Sequence, residues 1–218
     1  GVGALLVVLF SIGVFAYFRK DLPNIQDITG SDRGGSIRYY DKTGEVLLWE
    51  DFESVKRIPV KLDEINQFVK DATVAVEDKD FYNHGGFNLR GIIRATLNNA
   101  RGGSTQGGST ITQQFVKNTQ DWANDVTITR KIKELILSVE LERSYTKEEI
   151  LAGYLNIVPY GAFEVGVESA AQSYFKKPAK DLNLSESVFL AAIPQSPQYY
   201  SVYSPDFDQE LFTKRIHY

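Results

Sequence analysis

Seventeen consecutive residues, Val2 to Phe18 (VGALLVVLFSIGVFAYF), carry no charge. A helix built from them has no polar face, so it cannot sit half-wetted on a globular domain. It would span roughly 25 Å, a little short of the ~30 Å hydrocarbon core of a bilayer. Tyr17 and Phe18, followed by Arg19 and Lys20, mark an interfacial border. A secretory signal would need a basic leading region and a small-x-small cleavage site, and neither is visible. The run therefore predicts a retained transmembrane anchor over 1–20, truncated on its N-terminal side.

Beyond the anchor there is length for one substantial domain. The 218 residues contain no cysteine, which excludes disulfide scaffolds, thiolate metal sites and thiol catalysis. With only His84 and His217, a multi-histidine metal site is also excluded within one chain. A net charge of −4 gives no reason to expect nucleic acid. The charge is uneven, however. Residues 81–133 hold Arg90, Arg94, Arg101, Lys117, Arg130, Lys131 and Lys133 against Asp121 and Asp125 alone. Such a stretch in an acidic chain suits either a local anionic ligand or a solvated helix face.

Asp21–Gly35 reads as a polar linker. Two β-rich runs then flank Asp41-Lys42-Thr43-Gly44 and predict a small hairpin, so residues 21–60 are taken as linker plus hairpin. From Leu62 the pattern turns helical. Leu62, Ile65, Val69, Ala72 and Val76 recur at three- and four-residue spacing, in a helix that delivers Glu77 and Asp78 at its end. Residues 87–101 form a basic amphipathic segment that suits a membrane surface or, equally, a core-facing helix with a wet face. Ile132, Leu135, Ile136 and Val139 mark one face of a helix over Arg130–Arg143. Thr146-x-x-Glu149 is a capping-box signature, and 168–175 and 185–193 read as further short helices. The fold class expected is mainly α, with a small N-terminal β hairpin and one transmembrane helix.

Several residues could carry chemistry. Gly103-x4-Gly108-Ser109-Thr110 has phosphate-loop spacing but lacks the lysine, and Ser109 lacks the second glycine of a hydrolase elbow. What remains is a loop entering a helix, with N–H groups and hydroxyls free for an anion or sugar. Glu77 and Asp78 are adjacent acids at a helix end. One of them would have a raised pKa if buried, and otherwise both would be solvated. Arg130 and Glu134 stand at i, i+4 and Lys131 and Glu134 at i, i+3, which by spacing alone describes an ordinary surface ion pair; the functional alternative is a second buried carboxylate beside phosphate-binding cations. His84, in Asn-His-Gly-Gly, reads as a loop hydrogen-bonding group rather than a catalyst.

Taken in order, five segments resemble the glycosyltransferase family 51 domain of peptidoglycan polymerases. They are EDKDFYNHGG (77–86), GGSTITQQFVKN (107–118), RKIKE (130–134), KEEILAGYLNIVPYG (147–161) and VESAAQSYFKK (167–177). The downstream LAAIPQSPQYYSVYSP fits as well. The anchor, linker and IRYYDKTGEVL look like those of the bifunctional, class A penicillin-binding proteins, which implies a transpeptidase domain beyond Tyr218. The resemblance implies a two-lobed, lysozyme-like catalytic unit over 61–218.

The family's reaction is the polymerisation of lipid II into β-1,4-linked glycan strands. It proceeds with inversion and release of polyprenyl diphosphate, at the outer face of the bacterial membrane. By resemblance, Glu77 is the general base and Glu134 the second essential acid. Lys117, Arg130 and Lys131 match diphosphate-facing positions. Ser109, Thr110, Gln113 and Gln114 match the polar wall of the cleft, and Asp78 and His84 shape a loop. The implied partners are lipid II, the growing strand, the membrane and other cell-wall synthesis proteins. No cofactor is required, and a divalent cation acting as activator would screen the diphosphate rather than occupy a protein cage. Some relatives carry a further diphosphate-facing arginine before the Arg-Lys pair, whereas DWANDVTIT here has no base between Lys117 and Arg130. Phe115 stands where leucine or valine is common. Two rival readings are a lysozyme-like wall-cleaving enzyme, against which the cations argue, and a non-catalytic glycan-binding scaffold, against which the two acids argue.

Overall fold

The computed structural model describes residues 37–51, 55–89, 91, 108–120, 122, 127–161 and 163–217, together with 3, 5, 9, 12, 13, 16 and 17. Most of the uncharged N-terminal run, the linker at 21–35 and most of the basic segment at 87–101 lie outside the described residues. The seven described residues of the run are helical and exposed. Among the described residues, no helix is long and apolar enough to cross a membrane.

The hairpin forms where expected. Strands β1 (Ile37–Tyr40) and β2 (Leu47–Asp51) pair antiparallel, with Tyr39 opposite Trp49 and a bulge after Tyr39. The Asp41 carboxylate closes the turn by accepting from the Thr43 hydroxyl and from the Glu45 and Val46 amides, and Gly44 takes the positive φ. A second, shorter β element was not expected. Strands β3 (Lys56–Arg57) and β4 (Glu164–Val165) pair in parallel.

The rest is helical. A 3₁₀ turn, Leu62–Glu64, precedes α1 (Gln67–Glu77), followed by α2 (Ile111–Thr119), α3 (Ile128–Ser144) and α4 (Lys147–Ile157). Next come α5 (Val167–Phe175), α6 (Leu184–Ala192), the single turn α7 (Pro197–Tyr200) and α8 (Gln209–Ile216). The helix expected from Leu62 starts later because Ile65 is extended and Asn66 caps α1 by accepting from the Phe68 amide. Capping boxes open α2 at Thr110/Gln113, α4 at Thr146/Glu149 and α6 at Asn183/Glu186.

One core runs through these helices. Val69 and Phe81 join Ile111, Phe115, Leu137, Leu141, Ile150, Leu151, Tyr154 and Leu155 in it. The α3 face turned inward differs from the apolar stripe in the sequence. Glu134, Ile136, Leu137, Ser138 and Leu141 are buried, while Ile132, Leu135 and Val139 are only half-buried. The Ser138 hydroxyl satisfies itself on the Glu134 carbonyl at 2.7 Å, so it can occupy that face without being an orphaned donor.

Two glycines allow the close approaches that shape the site. A Cβ on Gly153 of α4 would lie 2.5 Å from the Phe115 ring, so its absence lets α2 and α4 meet. Gly86, at φ +89°, brings its loop onto α3, where a Cβ would lie 2.7 Å from the Ser138 backbone.

Candidate active site

Glu77 is the last residue of α1, at the negative end of the helix dipole. Its side chain is 6% exposed. Oε2 accepts from Gln114 Nε2 at 2.8 Å, one turn into α2. Oε1 accepts from Arg215 Nη2 at 2.6 Å, near the end of α8. Burial pushes the carboxyl above the ordinary glutamate value. Arg215 and the Gln114 amide pull the other way without overcoming it, and neighbouring Asp78 adds to the rise. The sequence thus posed a choice between a buried and a solvated acid pair, and the fold buries Glu77.

Asp78 is also buried, with a different task. Its Oδ2 accepts from the Ile111 amide at 3.1 Å, satisfying an otherwise orphaned N–H at the start of α2. The same oxygen accepts from His84 Nε2 at 2.8 Å. Among the described residues His84 Nδ1 is buried without a partner, while the His84 carbonyl accepts from Lys147 Nζ at 2.7 Å. Both residues therefore hold the loop against α2. Thr110 adds to this clamp. Its hydroxyl donates to the Gly86 carbonyl at 2.9 Å and accepts from the Gln113 amide at 3.2 Å.

Glu134 lies on α3 with its side chain 1% exposed. Arg130 Nη1 pairs with Oε2 and Lys131 Nζ with Oε1, so both cations come from the preceding turn of the same helix. Lys131 Nζ also donates to Ser109 Oγ at 2.9 Å. The spacing that reads as a surface ion pair is therefore a buried acid with two cations, of which Lys131 is the more exposed. Gln113 is buried, its Oε1 accepting from the Thr110 amide at 3.0 Å and its Nε2 lacking a partner among the described residues. Lys117 is half-buried on α2, one turn beyond Gln114. Among the described residues, no three His, Asp or Glu side chains come together as a metal cage would require.

The stretch Ser109–Gln114 therefore joins both acids. Gln114 reaches Glu77, Asp78 caps Ile111, and Ser109 meets the lysine that pairs with Glu134. Arg215 was absent from the sequence candidates. Asp208, whose side chain accepts from the Leu211 amide, could have marked the start of its helix. Nothing local indicates that residue 215 reaches residue 77. Tyr154 and Tyr160, both wholly buried and close enough to Glu77 for its charge to raise their phenols further, were also missed.

Glu77 and Glu134, both buried, are thus each paired with cations and each linked to the start of α2. The transglycosylase family model matches residues 44–218, and the chain belongs to that family. Penicillin-binding protein 1A of Rickettsia bellii is 37% identical over 203 residues, covering 88% of this chain and 25% of that protein. Penicillin-binding protein 1A of Vibrio cholerae is 34% identical over 212 residues, 97% of this chain and 25% of that protein. Penicillin-binding protein 1F of Bacillus subtilis reaches 44% over 156 residues, 71% and 22% of the two chains. The chain thus spans about a quarter of the length of these relatives. A crystal structure of Penicillin-Binding Protein 1A from Haemophilus influenzae is 24% identical and covers 84% of this chain and 17% of that one, at a TM-score of 0.41.

Proposed function

We propose that this chain is a peptidoglycan glycosyltransferase that polymerises lipid II into β-1,4 glycan strands with inversion. Its support is membership of the transglycosylase family and, above all, the linkage of both buried acids to the single stretch Ser109–Gln114.

In this reading Glu77 takes the proton from the acceptor 4-hydroxyl as that oxygen attacks the anomeric carbon of the donor strand. The new C–O bond forms as the bond to the diphosphate breaks, and polyprenyl diphosphate leaves with the electron pair. A raised carboxyl suits this task, because a stronger base gains more from the proton it accepts. Arg215 keeps the base ionised until the acceptor arrives. Lys117, Arg130 and Lys131 stabilise the departing diphosphate, and Glu134 holds two of those cations in place. Ser109, Thr110 and Gln113 form the polar wall, while Asp78 and His84 fix its loop.

The same reading gives the chain an anchor in residues 1–20, a linker and hairpin to residue 60 and a two-lobed, lysozyme-like catalytic unit from 61. It places that unit on the extracytoplasmic side of a bacterial membrane, where lipid II, the growing strand and other cell-wall synthesis proteins meet it.

The test is gel-resolved polymerisation of detergent-solubilised lipid II. A ladder of strands from the wild type that vanishes in Glu77→Gln is expected. A ladder that survives the substitution would overturn the assignment of the base.

A further inference from the structure

We infer that Tyr154 is a positioning residue for the base, acting through Gln114 by fixing which end of that amide faces Glu77. The inference rests on the reading of Glu77 as the general base.

A glutamine side chain ends in an oxygen and an NH₂ of nearly equal size and opposite hydrogen-bonding sense. Gln114 stands between a carboxylate and a phenol. With Nε2 toward Glu77 it donates to the ionised acid. Turned by half a rotation, it would set a carbonyl oxygen against that acid and favour the protonated form. Geometry at Glu77 alone does not select between them, because a protonated carboxyl could donate to the amide oxygen equally well.

Tyr154 breaks the tie. Its ring is wholly buried on α4, packed in the core, and its hydroxyl donates to Gln114 Oε1 at 3.2 Å. Burial raises the phenol so far that it stays protonated and remains a donor. Among the described residues its only hydrogen bond is this one. In the turned amide, the Tyr154 proton would face an NH₂ group and be stranded in the core. The phenol therefore holds Oε1, and Nε2 is left to point at Glu77 Oε2, 2.8 Å away. The relay runs Tyr154–Gln114–Glu77, from α4 through α2 to the end of α1. Among the described residues, the titratable and charged groups around Glu77 are Arg215 from α8, Asp78 beside it, Tyr154 from α4 and Tyr160 beyond α4. Tyr154 alone among these reaches Gln114.

Tyr154→Phe keeps the ring and removes only the hydroxyl. The first measurement is a carbon-13 NMR titration of the Glu77 carboxyl in the full chain, assigned by its loss in Glu77→Gln. It needs no lipid II, so it tests the relay whether or not the chain polymerises. Tyr154→Phe should move the midpoint upward by roughly half a unit to one unit. In a Gln114→Ala background the same substitution should move it no further. The acid limb of kcat/KM for lipid II polymerisation should shift by the same amount, a change that looser packing alone would not produce. An unmoved midpoint in Tyr154→Phe, or a shift that persists without Gln114, would overturn the inference.

Discussion

The two acids of the site are both buried and both paired with cations, yet they are built in opposite ways. Glu134 takes its partners from its own helix, three and four residues back. Glu77 takes Gln114 from another helix and Arg215 from a third, 138 residues away. A carboxylate locked between two local cations is neutralised wherever its helix goes. A carboxylate whose partners arrive only when α1, α2 and α8 pack together is tuned by the tertiary fold. The first arrangement suits a fixed electrostatic role, and the second suits a base whose affinity for a proton must be set.

Several substitutions separate the two designs. Glu77→Gln should have the largest effect, lowering lipid II polymerisation by roughly 10²–10⁴-fold at unchanged binding, as removal of a general base does. Glu134→Gln leaves Arg130 and Lys131 without their acid. A smaller loss, roughly tenfold to a hundredfold, is expected in steady-state polymerisation, with a lower melting temperature because the half-buried partner Arg130 loses its carboxylate. If Glu134→Gln proved the more damaging of the two for rate, the assignment of roles would be reversed.

Arg215→Met should raise the Glu77 carboxyl further. Removing a close opposite charge moves a carboxyl by roughly one to three units. The acid limb of the pH–rate profile then moves up and the neutral rate falls about tenfold, while the Glu134 side of the site is untouched. Ser109→Ala should do least. It removes one hydrogen bond to a half-exposed lysine whose main partner remains, so a change of no more than about threefold in KM is expected.

Stability offers an independent view of the same contrast. Glu77 holds its proton more tightly folded than unfolded. Its contribution to stability is therefore present below the unfolded carboxyl value and is lost as pH rises through the folded one. Glu77→Gln removes that dependence, so in urea unfolding the variant's stability relative to wild type should increase as pH rises from the unfolded carboxyl value through the raised folded one.

The same local-versus-distant division decides what could be read from the sequence. The Asp41–Gly44 turn, the Thr146/Glu149 box and the Arg130–Lys131–Glu134 spacing are all contained within a few residues, and each forms. The burial of Glu134 was one of two readings its spacing left open, and the apolar periodicity favoured the other by pointing to the face carrying Ile132 and Val139. That face lost to one where Ser138 and the two cations satisfy the polar groups. Nor was α8 read as a helix, although its last turn supplies the counterion of Glu77. The parallel pairing of Lys56–Arg57 with Glu164–Val165 is two residues long and leaves no pattern to detect. Five motifs in order carried the family; the contacts of Arg215 and Tyr154 required the fold.

The most direct measurement is the rate of lipid II polymerisation against pH for the wild type and Glu77→Gln side by side. The wild type should lose activity on the acid side through one ionisation above the ordinary glutamate value of 4.5, and the variant should be slow with no such limb. A variant that keeps the wild-type rate, or shows the same acid limb, would contradict the assignment of Glu77 as the base.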